Sequence, residues 1–125
     1  MFGTRQFAQY EPCLLVGLVG WSLFFFIVGL WPFDFHWPGE WRIYYWPTPI
    51  NGPLNFLSFL PFGVFVAALG YGATPVLTAA IFCCLMSLSV EVAQLFLPGR
   101  FPSLADVTLN TLGGVTGAAI FLRSA

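Results

Sequence analysis

The stretch PVLTAAIFCCLMSLSVEVAQLFLPGR, residues 75–100, decides the fold. Residues 75–97 are an apolar run long enough to cross a bilayer, whose hydrocarbon core needs about 20 helical residues. Glu91 stands inside that run, seven residues before Pro98. A carboxylate in a span costs about 2.5–3.5 kcal/mol on insertion scales. The segment still inserts, because each large apolar side chain contributes roughly −0.3 to −0.6 kcal/mol. The face carrying Glu91 must then turn away from lipid and toward other helices. Ser87, Glu91 and Gln94, spaced i, i+4 and i+7, share that face.

Working outward, residues 13–31, 54–71 and 104–122 are further apolar segments of spanning length. The composition agrees: 58% hydrophobic, 19% aromatic, 7% charged and no lysine, where soluble domains carry about 25% charged residues. The chain reads as an all-α polytopic membrane protein, a four-transmembrane-helix bundle forming a single domain over residues 1–125. The first segment has 19 apolar residues and is followed by Trp31-Pro32-Phe33 in place of a small-residue cleavage site, so it is expected to remain as an anchor. A net charge of −1 with no basic patch argues against nucleic-acid binding. Cys13, Cys83 and Cys84 lack C-x-x-C spacing and read as small apolar filler.

Residues 32–53, PFDFHWPGEWRIYYWPTPINGP, join the first two spans. Pro32, Pro38, Pro47, Pro49 and Pro53 preclude a continuous helix. Trp37, Trp41, Trp46, Tyr44 and Tyr45 suit the membrane–water boundary, so an interfacial loop is expected. His36 is isolated there and reads as solvated, not as a ligand. The other connections are short: a turn around Gly70-Tyr71-Gly72, and Pro98-Gly99-Arg100, with Ser103 as the expected N-cap of the last helix. Spans two to four then form consecutive antiparallel hairpins. Arg5, the terminal amine and Arg123 lie on one side, Arg42 and Arg100 on the other; the positive-inside rule narrowly places both termini in the cytoplasm.

Alternation of spans brings Asn55, Glu91, Gln94, Arg100, Asp106 and Asn110 into one half of the membrane, with Glu91 roughly 10 Å inside its helix end. On the fourth span Asp106, Asn110, Gly113 and Gly117 form one stripe. Its G-x-x-x-G permits close helix approach, with the third span the expected neighbour. On the second span Pro61 deprives the Leu57 carbonyl of its usual donor, and Gly63 gives room beside it. Asn55, Ser87, Glu91, Gln94, Arg100, Asp106 and Asn110 are the expected polar network or ligand-binding set; Pro61, Gly63, Gly113 and Gly117 are the expected packing residues. Two arrangements follow. One is a clasp in which Arg100 pairs Glu91 or Asp106, with interhelical polar contacts of about 0.6 kcal/mol each. The other is a pocket for a polar headgroup.

Asn55, Phe59, Pro61, Phe62 and Gly63 (N-x-x-x-F-x-P-F-G), Ser87, Glu91 and Gln94 (S-x-x-x-E-x-x-Q), Pro98-Gly99-Arg100, and Asp106, Val107, Asn110, Gly113 and Gly114 (D-V-x-x-N-x-x-G-G) together resemble the VanZ-like family. The resemblance runs from Asn55 to Gly117, and the first span and aromatic loop carry no matching motif. It implies a small bacterial multi-spanning protein whose founding member is associated with low-level teicoplanin resistance, and it brings no reaction with it. The expected function is binding of a lipid or lipid-linked headgroup at the outer face of a bacterial inner membrane. The first alternative is an accessory subunit of a respiratory or photosynthetic type of complex. The second is an intramembrane enzyme using Glu91 and Asp106 as acid and base, which no further catalytic motif supports. Expected partners are membrane lipids and either a larger membrane protein complex or further copies of the chain; no cofactor or metal is expected.

Overall fold

A computed structural model describes residues 7–46, 51–70 and 73–124. Arg5, residues 47–50 of the aromatic loop, and Tyr71-Gly72 lie outside the described residues. After a short 3-10 turn, Ala8–Tyr10, come α1 (Glu11–Leu30), α2 (Asn51–Leu69), α3 (Pro75–Gln94) and α4 (Leu104–Ser124). All four are long and apolar enough to cross a membrane. Proline sets the starts of α1 and α3, where Pro12 and Pro75 occupy the first turn and no backbone donor is needed.

Two boundaries differ from the sequence expectation by three residues, the others by no more than two. Helix α2 begins at Asn51 instead of residue 54, because Pro53 is tolerated in a first turn. Helix α3 ends at Gln94 instead of residue 97. Beyond it the N–H groups of Leu95, Phe96 and Leu97 turn back to the carbonyls of Val92, Ala93 and Gln94, three residues earlier. Pro98 follows, then Gly99 at φ +77°. Glu91 is therefore roughly 4.5 Å from its helix end, about one turn in.

The helices alternate in direction. Gly113 lies against Phe56 and Gly117 against Leu60, so α2 and α4 run parallel. Asn110 meets Ser87, and Gly114 meets Cys83, so α3 and α4 run antiparallel. A Cβ at Gly63 would collide with the Gly114 carbonyl, and one at Gly113 or Gly117 with the carbonyls of Phe56 or Leu60. The G-x-x-x-G stripe thus faces α2, which corrects the expected pairing with α3. Gly114, one position around the helix, is the residue that faces α3. Periodicity defines a helix face but not the neighbour that occupies it.

The core lies between α2, α3 and α4. Phe59, Phe62, Cys83 and Met86 form one buried cluster, and Val66, Ala67, Ala79 and Ala118 a second. Helix α1 buries none of its residues fully. Its Trp21, Phe25 and Phe26 pack on the first cluster from outside, with Phe25 edge-on to Phe59 at 4.8 Å between centroids.

The aromatic loop folds back over the end of the bundle where α1 and α3 finish and α2 and α4 begin. His36 N–H donates to Phe96 O at 2.7 Å, Tyr44 N–H to Pro102 O at 2.8 Å, and Leu104 N–H to Tyr44 O at 2.9 Å. Trp37, Trp41 and Phe96 pack mutually edge-to-face.

Candidate functional site

The polar residues gather at this same end, where two arriving helices expose carbonyls and two departing ones expose N–H groups. The end of α1 shows the logic. Pro32 has no N–H, so Val28 O lacks its usual partner. The next donor, Phe33 N–H, turns back to Leu30 O at 2.8 Å, with Phe33 in the left-handed region at φ +65°, which leaves Gly29 O free as well. Side chains from α3 and the α3–α4 connection supply the missing donors. Arg100 Nη2 donates to Val28 O at 3.1 Å and Trp31 O at 2.7 Å, and Gln94 Nε2 donates to Gly29 O at 2.9 Å. A cation at a helix C-terminus also complements the helix dipole.

The expected clasp is therefore corrected: among the described residues Arg100 forms no ion pair with Glu91 or Asp106. The carbonyls of α1 hold it instead. Glu91 Oε2 accepts the Ser103 N–H at 2.8 Å, so a carboxylate of α3 caps the start of α4. Ser103 does not cap with its own side chain, as the sequence suggested; its hydroxyl is buried without a hydrogen-bond partner. The residue is bridged to Tyr44 of the loop, and that bridge takes the Leu104 N–H.

Asn110 Nδ2 donates to Ser87 Oγ at 2.7 Å in the buried α3–α4 interface. Asn55 of α2 and Asp106 of α4 line the same cavity. Trp21 Nε1 donates to Ser58 O at 2.8 Å. The carbonyl it reaches is one residue after Leu57, in the stretch of α2 that Pro61 disturbs.

These groups surround a cavity of about 420 Å³. Asn55, Ser58, Glu91, Gln94, Arg100, Asp106 and Asn110 line its polar part, and Trp21, Phe24, Phe25, Val28, Leu54 and Phe101 its apolar part. Of the seven residues singled out from sequence, six reach the cavity. Ser87 lies behind Asn110 with 0% exposure. Gly63, Gly113 and Gly117 sit in the α2–α4 seam and Pro61 nearby on α2.

The sequence reading missed Trp21, Gly29, Asn51 and the backbone of Ser103. An indole within a span needs an acceptor, which was the available signal for Trp21. The carbonyl of Gly29 and the N–H of Ser103 have no signal in side-chain pattern.

Two acceptors on residues of the polar part lack partners: Asp106 Oδ1 and Asn110 Oδ1 are both buried and unbonded. Arg100 also borders a second cavity, of about 300 Å³, beneath the aromatic loop. On its rim the exposed His36 is hydrogen-bonded to Asp34 and the exposed Arg42 pairs with Glu40, and the Glu40 hydrogen bond, with a smaller contribution from Tyr44, raises the Arg42 pKa.

Four membrane-length helices, closing at one end on a polar cavity with one apolar wall, define a polytopic helical membrane protein. The profile of the VanZ/LLP1 family matches residues 10–124, and the chain belongs to that family. The match takes in α1 and the aromatic loop, well beyond the segment whose motifs carried the resemblance. No curated protein and no solved structure matches the chain.

Proposed function

We propose that this protein binds the headgroup of a lipid or lipid-linked molecule in the cavity, at the outer face of a bacterial cytoplasmic membrane. The observation that carries the reading is the cavity itself, which joins the polar residues Asn55, Arg100, Asp106 and Asn110 to an apolar wall, two of those residues also holding a buried acceptor without a partner. Buried acceptors are normally satisfied, so an unpaired pair calls for a donor from outside the chain. The volume falls in the range of about 300–1,000 Å³ that ligand sites occupy. Phe24, Val28 and Leu54 line the cavity and are also more than half exposed, so this wall faces the surrounding lipid. A headgroup could enter there while its acyl chains stay between α1 and α2.

The test is native mass spectrometry of protein extracted from nanodiscs of bacterial polar lipids. Wild-type protein should retain a lipid, and Ser58→Phe, which fills the polar part, should release it. Equal retention by both would sink the reading.

Orientation belongs to the same proposal. Engagement of Arg100 by α1 leaves fewer free arginines at the cavity end, which favours cytoplasmic termini. A C-terminal green fluorescent protein fusion should fluoresce, and a C-terminal alkaline phosphatase fusion should be inactive; the reverse pattern would invert the topology.

A further inference from the structure

We propose that the preferred ligand is a phospholipid carrying a primary ammonium on a phosphodiester, that is, a phosphoethanolamine-type headgroup. This rests on the reading of the cavity as a lipid site and specifies which end of the headgroup goes where.

The cavity is divided by charge. Glu91 and Asp106 both line it, and no described cation stands within ion-pair distance of either. Beside them are the orphan Asp106 Oδ1 and the orphan Oδ1 of Asn110, a residue only 2% exposed. A cation beside Asp106 favours its ionised form, and an ionised carboxylate has only acceptors to offer. The Asp106 site therefore asks for a donor whichever way the Asn110 amide is turned. A primary ammonium supplies three N–H donors and a positive charge beside two carboxyl groups that have no cationic partner. A hydroxyl supplies one donor and no charge, and a quaternary ammonium supplies charge without a donor.

Arg100 borders the same cavity. Its Nη2 is committed to Val28 O and Trp31 O, while Nε and Nη1 make no hydrogen bond to a described residue. Those donors suit a phosphate oxygen. Arg100 lies in the connection after α3, whereas Asp106 and Asn110 lie within α4. The phosphate is thus assigned to the connection side and the ammonium to the α4 side, with the chains along Phe24, Val28 and Leu54.

The test offers wild-type protein in maltoside micelles an equimolar mixture of phosphatidylethanolamine, phosphatidylcholine, phosphatidylglycerol and phosphatidic acid, and reads bound lipid by native mass spectrometry. Phosphatidylethanolamine should be enriched about tenfold over the other three, the effect of one charge-assisted contact. Asp106→Asn, judged folded by circular dichroism, should erase that preference. Lipid bound without preference, or a preference unchanged in Asp106→Asn, would overturn the ammonium assignment and leave the lipid pocket standing. No lipid bound at all would remove both. Free phosphoethanolamine should displace the lipid poorly, because it lacks the chains that the apolar wall covers; displacement at equal concentration would overturn the lipid as the source of the headgroup.

Discussion

Along the α2–α4 seam, Gly63, Gly113 and Gly117 bring backbone directly against backbone. Along α1 no residue is fully buried, and the helix is held by its aromatic residues and by side chains that reach its last carbonyls: Gln94 to Gly29, and Arg100 to Val28 and Trp31. Lipid tails are as apolar as leucine, so helices in a membrane must associate through close packing or polar contacts. The seam uses the first means alone, and α1 adds the second to the packing of its aromatic residues. The cavity lies where the two regimes meet, with polar residues from α2, α3 and α4 on one side and α1 on the other. A glycine seam leaves no space for a ligand, whereas a helix tethered at its end can stand away from its neighbours and leave a volume.

The seam should be the harder part to perturb without loss of the fold. Gly63→Leu places a side chain where the Gly114 carbonyl already sits, and we expect a loss of about 3 kcal/mol, read as a lower midpoint in SDS unfolding from mild detergent. A variant as stable as wild type would show that the helices can separate at no cost. Glu91→Ala should cost about 2 kcal/mol by the same assay, since it strips the charged acceptor from the Ser103 N–H. Glu91→Gln, which keeps an acceptor, should recover most of that loss.

Gln94→Ala and Arg100→Gln should each cost only about 1 kcal/mol but act on one region. Hydrogen exchange should accelerate over residues 22–31 while residues 56–67 and 110–118 stay protected. Equal acceleration in both regions would end the distinction between tether and seam. Trp21→Phe, which removes the indole donor to Ser58 O and keeps the ring, should have the smallest effect, about 0.6 kcal/mol.

Much of this was legible in the sequence because a membrane simplifies inference. Apolar runs had to be helices, since lipid satisfies no backbone group. Alternation of direction then carried Asn55, Glu91, Asp106 and Asn110 to one end. Partner choice was less legible. Arg100 was expected to meet an acid and instead meets carbonyls. Pro32 and the turn at Phe33 left those carbonyls short of donors, and backbone acceptors do not announce themselves in a side-chain pattern.

The sequence by itself determined four spans, the end of the bundle at which the polar residues collect, and the glycines that require a close neighbour. Only the tertiary structure decided that this neighbour is α2, that Glu91 caps α4, that Arg100 holds α1, and that a cavity remains among them. The physical reason is that a helical repeat specifies the direction a residue faces. What it meets in that direction depends on how the helices pack and on which backbone groups their ends leave unsatisfied.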